Sequence, residues 1–218
     1  MRTRILLLTA GLAAAGAATS MAAHQNAVGH VTKTIPPNGF ALISNPLIAA
    51  DNSINALFSP APPGFSVFKF ESGRGGSNTG FAIATFDDLD GAFLPADVAA
   101  LTVVPGEGVF VRNPTGSSMT ITFIGEVPQG ALSNPLPMGL SIRSSQVPQA
   151  GTAEELGLVG GSGDSIFQWN TANQNYDVST FDDLDNAWLP PLGTLEVGDA
   201  FFLSKQSAGS WDRIFEIN

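Results

Sequence analysis

The chain has 218 residues, 44% of them hydrophobic and 13% charged, so it is long enough for one or two domains and too apolar to stay disordered. Nine Lys+Arg against nineteen Asp+Glu give a net charge of −10, which is the wrong sign for a surface that binds nucleic-acid phosphates. The sequence contains no cysteine, which excludes disulfides, thiolate metal sites and a thiol nucleophile.

Residues 1–22 predict an export signal. Two arginines precede an apolar run from Ile5 to Ala18, and small residues follow it, which is the order found in secretory signal peptides. The run is too short and too rich in Ala and Gly to cross a bilayer comfortably, so cleavage after Ala22 is preferred to a membrane anchor. We expect an exported protein of bacterial style in the periplasm, at the cell surface or outside the cell, with no membrane-spanning segment after signal removal.

Short β-strands and one helical turn are predicted after the leader. Residues 52–58, which precede Pro60, predict the helical turn. Residues 81–86 alternate between two faces, as strands do, and residues 119–124 predict a closing strand. Many Gly and Pro residues between these segments indicate turns.

An acidic hexamer ends the alternating strand. It reads Thr85-Phe-Asp-Asp-Leu-Asp90 and is followed by Gly91. Asp-Gly is a strong two-residue hairpin signal, so we predict a tight turn at Asp90-Gly91, with Phe86 and Leu89 as packing anchors.

The hexamer recurs as Thr180-Phe-Asp-Asp-Leu-Asp185, an offset of 95 residues, and this repeat is the strongest internal signal. Further collinear blocks pair residues 39–44 with 139–144, 66–70 with 165–169, 92–95 with 187–190 and 105–111 with 197–203. The sequence therefore predicts an internal duplication of about 95 residues, with unit 1 at 28–126 and unit 2 at 127–218. We expect an all-β protein of two similar sandwich-like or barrel-like units, each with one short helical turn.

The second unit repeats the local signals of the first. Thr152-Ala-Glu-Glu155, followed by Gly157, is a capping-box pattern and predicts the second helical turn. Tyr176, Val178 and Thr180 repeat the alternating strand, and residues 211–217 predict the second closing strand. The pair Asp185-Asn186 predicts the second tight turn, with Phe181 and Leu184 as its packing anchors.

The order of blocks in unit 1 carries a family resemblance. Gly39-Phe-Ala-Leu-Ile-Ser-Asn-Pro-Leu47, then Pro105-Gly-Glu-Gly-Val-Phe-Val111, then Ile121-Thr-Phe-Ile-Gly125 resembles the "GWNLISLP … PGxGYWV … G" domains of exported bacterial and archaeal surface proteins. The chain is also similar to duplicated secreted proteins of the Verrucomicrobia–Planctomycetes type. In unit 2 the first motif departs from the pattern at Gly139-Leu140. The resemblance implies a β-rich extracytoplasmic module and no catalytic residues.

The repeated acids are candidates for a calcium site, because carboxylate oxygens are the ligands that this ion prefers. The candidates are Asp87, Asp88, Asp90, Asp182, Asp183 and Asp185. Read as an EF-type loop, the repeat puts Phe86 where a carboxylate is required and leaves unit 2 with Leu192 at the bidentate position. A plain turn is therefore favoured over calcium, and no other cofactor is expected.

Four aromatic residues are candidates for contact with a ligand or partner, because rings near strand ends can stack on sugars. They are Phe93, Trp169, Trp188 and Trp211. Since each ring also buries a large apolar area, a place in the core is the favoured alternative for each residue taken singly.

Catalytic chemistry finds little support in the sequence. His24 and His30 are the only histidines and both lie near the leader, whereas a catalytic triad needs a positioned imidazole. Lys33, Lys69 and Lys205 could activate a serine, yet no Ser-x-x-Lys spacing marks one. A glycosidase needs two carboxylates across a cleft, and no pattern selects such a pair.

We therefore expect an exported, non-catalytic β-protein that acts by surface contact, as an envelope, matrix or filament subunit or an adhesion module. Its partners would be other cell-surface or matrix components, or further copies of itself. The first alternative is a secreted module that binds calcium or carbohydrate. The second alternative is a secreted glycan-active enzyme.

Overall fold

A computed structural model describes residues 27–71 and 80–217. The structure is mostly β-strand (50%), with only 5% helix, and its sheets are antiparallel, which confirms the predicted all-β class. The predicted signal peptide at residues 1–22 lies outside the described residues. Within the described ranges, none of the helices has both the length and the apolar character that crossing a bilayer requires.

The first unit is a five-stranded sheet packed against a two-stranded ribbon. Its elements are β1 (Val28–Ile35), β2 (Phe40–Ile43), α1 (Ile54–Phe58), β3 (Ser66–Glu71), β4 (Gly80–Asp87), β5 (Ala92–Leu94), α2 (Ala96–Ala99), β6 (Val109–Arg112) and β7 (Met119–Glu126). The sheet has the order β2-β6-β3-β4-β5, and β1 pairs with β7 to form the ribbon.

The second unit repeats this arrangement. Its strands are β8 (Gly130–Leu136), β9 (Gly139–Ser144), β10 (Ser165–Asn170), β11 (Asn175–Asp182), β12 (Ala187–Leu189), β13 (Ala200–Lys205) and β14 (Gly209–Phe215). The sheet order is β9-β13-β10-β11-β12, and β8 pairs with β14. Each strand number is seven higher than its counterpart, so the repeat seen in the sequence is also a repeat of topology.

Each unit has its own hydrophobic core between sheet and ribbon. In unit 1, Ala82, Ala84 and Phe86 of β4 face the core, together with Ile35 and Phe123 from the ribbon. In unit 2 the core contains Leu136, Ile166, Trp188, Phe201, Leu203 and Trp211. Burial of one large apolar side chain contributes roughly 1.5–3 kcal/mol, so both clusters stabilise the fold strongly.

The predicted helical turns differ between the units. In unit 1, α1 begins after Ser53, whose hydroxyl accepts the Ala56 N–H at 3.2 Å, as predicted for residues 52–58. In unit 2 the capping-box contacts form, with Thr152 N–H donating to the Glu155 carboxylate at 2.8 Å and Glu155 N–H donating to the Thr152 hydroxyl at 3.2 Å. The segment nevertheless remains a turn because Gly157, with a φ of 91°, ends it at once.

Helix α2 is present in unit 1 alone among the described residues and was not predicted. It follows β5, where the chain reads Ala96-Asp-Val-Ala99. The counterpart after β12 is Pro191-Leu-Gly193, whose proline and glycine disfavour a helix.

The two units contact each other through reciprocal hydrogen bonds. Ser44 N–H donates to the Gly198 carbonyl at 2.9 Å, and Ser144 N–H donates to the Gly106 carbonyl at 3.0 Å. The Ser144 hydroxyl also donates to the Glu107 carbonyl at 2.9 Å, while the Ser44 hydroxyl bonds the Asp199 carbonyl at 3.3 Å. Because 44 matches 144 and 106 matches 198 in the repeat, these contacts relate the units by a pseudo-twofold operation.

A third hydrophobic cluster fills the space between the units. It consists of Leu42, Ile142, Ala200 and Phe202, with Phe70, Phe110, Leu140, Phe167 and Trp169 packed around them. These side chains come from the faces of the five-stranded sheets that point away from each unit's own core. The units therefore pack sheet against sheet and share a common apolar interior.

Candidate functional site

The six acidic candidates lie at the loops that connect β4 to β5 and β11 to β12. They are Asp87, Asp88, Asp90, Asp182, Asp183 and Asp185. The Asp87 carboxylate accepts the backbone N–H groups of Leu89 and Asp90 at 2.8 and 3.3 Å. The Asp182 carboxylate accepts the N–H groups of Leu184 and Asp185 at 2.8 and 3.4 Å. One carboxylate in each loop therefore holds the turn together.

The calcium alternative stays a prediction. Across residues 27–71 and 80–217, no three His, Asp or Glu side chains come together as a group that could hold a metal ion. The acids outside the turn contacts, such as Asp88 and Asp183, lie on the loop surface.

The predicted tight turns are wrong in length. Asp87 pairs with Ala92, and Asp182 pairs with Ala187, so each hairpin has a four-residue loop rather than a two-residue turn. The loop ends at Gly91 and Asn186, whose φ angles of 61° and 48° reverse the chain. Leu89 and Leu184, predicted as packing anchors, are each 92% exposed, because the carboxylate-capped loop directs them to solvent.

Three of the four aromatic candidates lie in the cores. Phe93, Trp188 and Trp211 are only 1–2% exposed, so their rings are not available for stacking on a ligand. The Trp211 indole N–H donates to the Leu156 carbonyl at 2.9 Å. Their burial matches the core alternative considered for each ring, since a large apolar ring gains most by leaving water.

Trp169, the fourth aromatic candidate, lies between the two units. Its indole N–H donates to the Phe40 carbonyl at 3.1 Å, and its ring contacts the rings of Phe110 and Tyr176 with centroid distances of 4.9 Å. Gln174 adds to this junction, because its amide accepts the Phe40 N–H and donates to the Phe40 carbonyl at 2.8 and 3.0 Å. Trp169 therefore joins the units and borders the cleft described below.

A band of half-exposed apolar side chains crosses both units, and we call it the apolar stripe. It consists of Phe81 and Ile83 on β4 and Tyr176 and Val178 on β11, which are 40–45% exposed. The Phe202 ring connects the two halves, with centroid distances of 6.3 Å to Phe81 and 6.0 Å to Tyr176. Burial among these rings raises the pKa of Tyr176, which keeps the phenol neutral. The four side chains of the stripe therefore carry no charge at neutral pH.

A polar cleft opens where β10 and β13 separate, and we call it the unit 2 cleft. The two strands pair from Ser165 with Ser204 to Gln168 with Phe201, whereas β10 continues to pair with β11 as far as Asn170. The space left between the strands has a volume of about 230 Å³. Its walls include Gln168, Trp169, Asn170, Asp177, Thr194 and Asp199.

The lysines considered as catalytic bases are all held in ion pairs. Lys33 of unit 1 pairs with Asp199 of unit 2, and Lys205 pairs with the buried Asp164. Lys69 pairs with Glu107 at 3.1 Å and also donates to the Thr102 carbonyl. Each ammonium is thereby kept beside a carboxylate rather than a serine.

The remaining polar groups do not assemble a triad in the part of the chain that the structure describes. His24 lies outside that part, and His30 is exposed on β1 opposite Ile124. Burial lowers the pKa of the Arg143 guanidinium, and the nearby Glu107 carboxylate opposes this shift. On the ribbon of unit 2, hydrogen bonds from Ser133 and Ser210 lower the pKa of the exposed Asp212 carboxylate.

Trp169 was a candidate from the sequence and lines the unit 2 cleft, whereas the polar residues of that lining were not predicted. The signal that could have found Gln168, Asn170 and Asp177 is the duplication itself. At the matching positions unit 1 carries Lys69, Glu71 and Ala82, so the two units differ in polarity along paired strands.

Comparison of the chain with protein-family models, with curated proteins and with solved structures finds no match.

Proposed function

We propose that the protein is an exported, non-catalytic β-protein that works by surface contact with envelope or matrix components, or with further copies of itself. The observation that carries the proposal is the apolar stripe. Monomeric soluble proteins rarely expose large contiguous apolar patches, and such patches often mark interaction sites.

The architecture supports this proposal in a second way. The stripe continues the cluster that joins the units, so a partner laid on Phe81 and Tyr176 would extend an existing sheet-to-sheet contact. The surrounding chain is strongly acidic, with a net charge of −10, while the stripe itself carries no charge. Contact at the stripe would therefore avoid the repulsion that the rest of the surface imposes on another acidic molecule.

The test compares the wild-type protein with two double variants. Ile83→Asp with Val178→Asp places charges in the stripe, whereas Ile124→Asp with Ile214→Asp places the same charges on the exposed faces of the two ribbons. Co-sedimentation with the native envelope or matrix fraction and sedimentation velocity of the protein alone measure contact with other components and with itself.

We expect the wild type and the ribbon variant to co-sediment or self-associate, and the stripe variant to do so at least about tenfold more weakly, as expected when a charge is buried in an apolar contact. A wild type that stays monomeric and remains in the supernatant would contradict the proposal. Equal behaviour of the two variants would contradict the role of the stripe. Fractionation of native cells tests export directly.

A further inference from the structure

At the place in unit 1 that corresponds to the unit 2 cleft, the Lys69 side chain fills the space. We call this side chain the plug. In unit 1 the Lys69 side chain is only 14% exposed, and its ammonium contacts the Thr102 carbonyl and the Glu107 carboxylate. Ala82, the cross-strand partner of Lys69, is 1% exposed. A long side chain and an apolar neighbour therefore fill the space where β3 and β6 end their pairing.

In unit 2 the matching positions hold Gln168 and Asp177, which are likewise cross-strand partners. Gln168 is shorter than lysine and bonds the adjacent loop, since its amide donates to the Gly193 carbonyl and accepts the Gly193 N–H, both at 2.9 Å. Asp199, the counterpart of Glu107, pairs with Lys33 of the other unit. Unit 2 therefore differs from unit 1 at three matching positions and lacks the plug. Polar groups line the space that is left open.

The cleft walls are already fixed in position. The Asn170 amide donates to the Asp177 carboxylate at 3.2 Å, and the Asn170 side-chain carbonyl accepts the Asn173 N–H at 3.0 Å. Asp199 also accepts the Glu196 N–H at 2.9 Å. Prior fixation of the polar groups lowers the entropy that binding of a ligand would cost.

We infer that the unit 2 cleft binds a neutral sugar residue of an oligosaccharide. Carboxylate and amide groups side by side, as in Asp177 and Asn170, can accept from and donate to neighbouring hydroxyls. Leu42, Leu195 and Ala200 add an apolar part to the lining. The Asp177 carboxylate in the cleft wall disfavours an anionic ligand. The volume of about 230 Å³ lies below the roughly 300–1,000 Å³ of pockets for drug-sized ligands, which suits a single sugar ring.

The test is isothermal titration of the purified full-length protein with neutral oligosaccharides of glucose, galactose, mannose and N-acetylglucosamine, and with polygalacturonate as the anionic comparison. Asp177→Ala removes the carboxylate, and Gln168→Lys rebuilds the plug of unit 1. The matched control is Asp183→Ala, which removes an acid from the loop between β11 and β12.

At least one neutral oligosaccharide should bind. Both cleft variants should weaken binding by about tenfold or more, since a hydrogen bond to a charged group is lost or the space is filled. Asp183→Ala and the stripe variant Ile83→Asp should bind as the wild type does, which separates this site from the contact surface. The inference is overturned if no neutral sugar binds, if Asp177→Ala binds with unchanged affinity, or if polygalacturonate binds as well as the neutral sugars. Melting temperatures confirm that each variant is folded.

Discussion

Phe86 and Phe181 occupy the same position of an identical hexamer, yet their burial differs. Phe86 is 7% exposed within the first core, whereas Phe181 is half-buried at the edge of the second. Each ring meets its cross-strand aromatic edge to face, with centroid distances of 5.3 Å to Phe93 and 5.4 Å to Trp188. The difference comes from the remaining neighbours, because Phe181 lies against Gly160 of a surface loop. Identical local sequence thus predicts the pairing but not the degree of burial.

Truncation of the two rings should therefore have unequal effects. Phe86→Ala should lower the free energy of unfolding by about 3–5 kcal/mol, as expected for a fully buried phenylalanine, and Phe181→Ala should lower it by less. Chemical denaturation of both variants measures the difference. An equal loss for the two variants, or a larger loss for Phe181→Ala, would contradict this expectation.

Asp212 gives the protein a predicted response to acid. Because Ser133 and Ser210 donate to its carboxylate at 2.6 Å, the folded-state pKa of Asp212 lies below the unfolded-state value. A depressed carboxyl pKa contributes stability that is present above the unfolded-state pKa and is lost as the pH falls through the folded-state pKa.

Ser133→Ala with Ser210→Ala should return the pKa of Asp212 toward its ordinary value in an NMR titration, and should reduce the loss of stability on acidification. Ser207→Ala, at an exposed serine of the preceding loop, is the matched control. A titration of Asp212 that is the same in the double variant and the wild type would show that the two hydroxyls have no influence.

At the scale of elements, the alternating strands were predicted correctly. The sequence did not determine which face of each strand lies on the core. In β4 both faces are apolar, with Ala82, Ala84 and Phe86 on one side and Phe81 and Ile83 on the other. The small side chains face the core, where ribbon and helices pack closely, and the larger rings face the other unit. A strand whose two faces are both apolar carries no alternation that could assign its sides.

The two sheets meet closely at Gly108, the residue before β6. A Cβ at this position would lie 2.4 Å from the Ala200 Cβ and 2.7 Å from the Ile142 Cγ2, both in unit 2. Gly108→Ala should therefore destabilise the protein by about 1–3 kcal/mol, the usual cost of overpacking. Thermal and chemical unfolding would measure this loss.

The repeat offers an internal rescue, because Ala200 is the unit 2 counterpart of Gly108. Ala200→Gly in the Gly108→Ala background should recover part of the lost stability by moving the methyl group to the other side of the contact. Gly116→Ala, where a Cβ would meet nothing within 4 Å, is the control. A Gly108→Ala protein as stable as this control would show that the units do not meet as closely as described.

At the scale of the whole molecule, the duplication was the most informative feature of the sequence. The hexamers at 85–90 and 180–185 predicted two like units, and the shared strand order agrees with that prediction. The unit 2 cleft could not be predicted from motifs, because it depends on where β13 leaves β10. The stripe likewise depends on how much of each outer face the other unit covers.

The reciprocal bonds of Ser44 and Ser144 show that the two units are arranged like the protomers of a twofold dimer, although they belong to one chain. Each unit presents its outer sheet face to the same face of the other, as protomers do in an isologous twofold interface. The peptide link near Pro128 keeps the partners at an effective concentration on the order of millimolar, so the interface can tolerate changes that would separate free subunits. Because the two units of one chain need not be identical, unit 2 can carry Gln168 where unit 1 carries Lys69.

Separate chains covering residues 27–127 and 128–217 should consequently find each other in solution. Each half alone should melt at a lower temperature than the intact protein, since its outer face would be exposed to water. Mixing the halves should raise both melting temperatures and give a one-to-one complex in sedimentation velocity, and Gly108→Ala in the first half should weaken that complex. The contrary result would be two halves that are as stable alone as in the intact protein and form no complex. That result would mean that the covalent link, rather than the shared apolar face, holds the two units together.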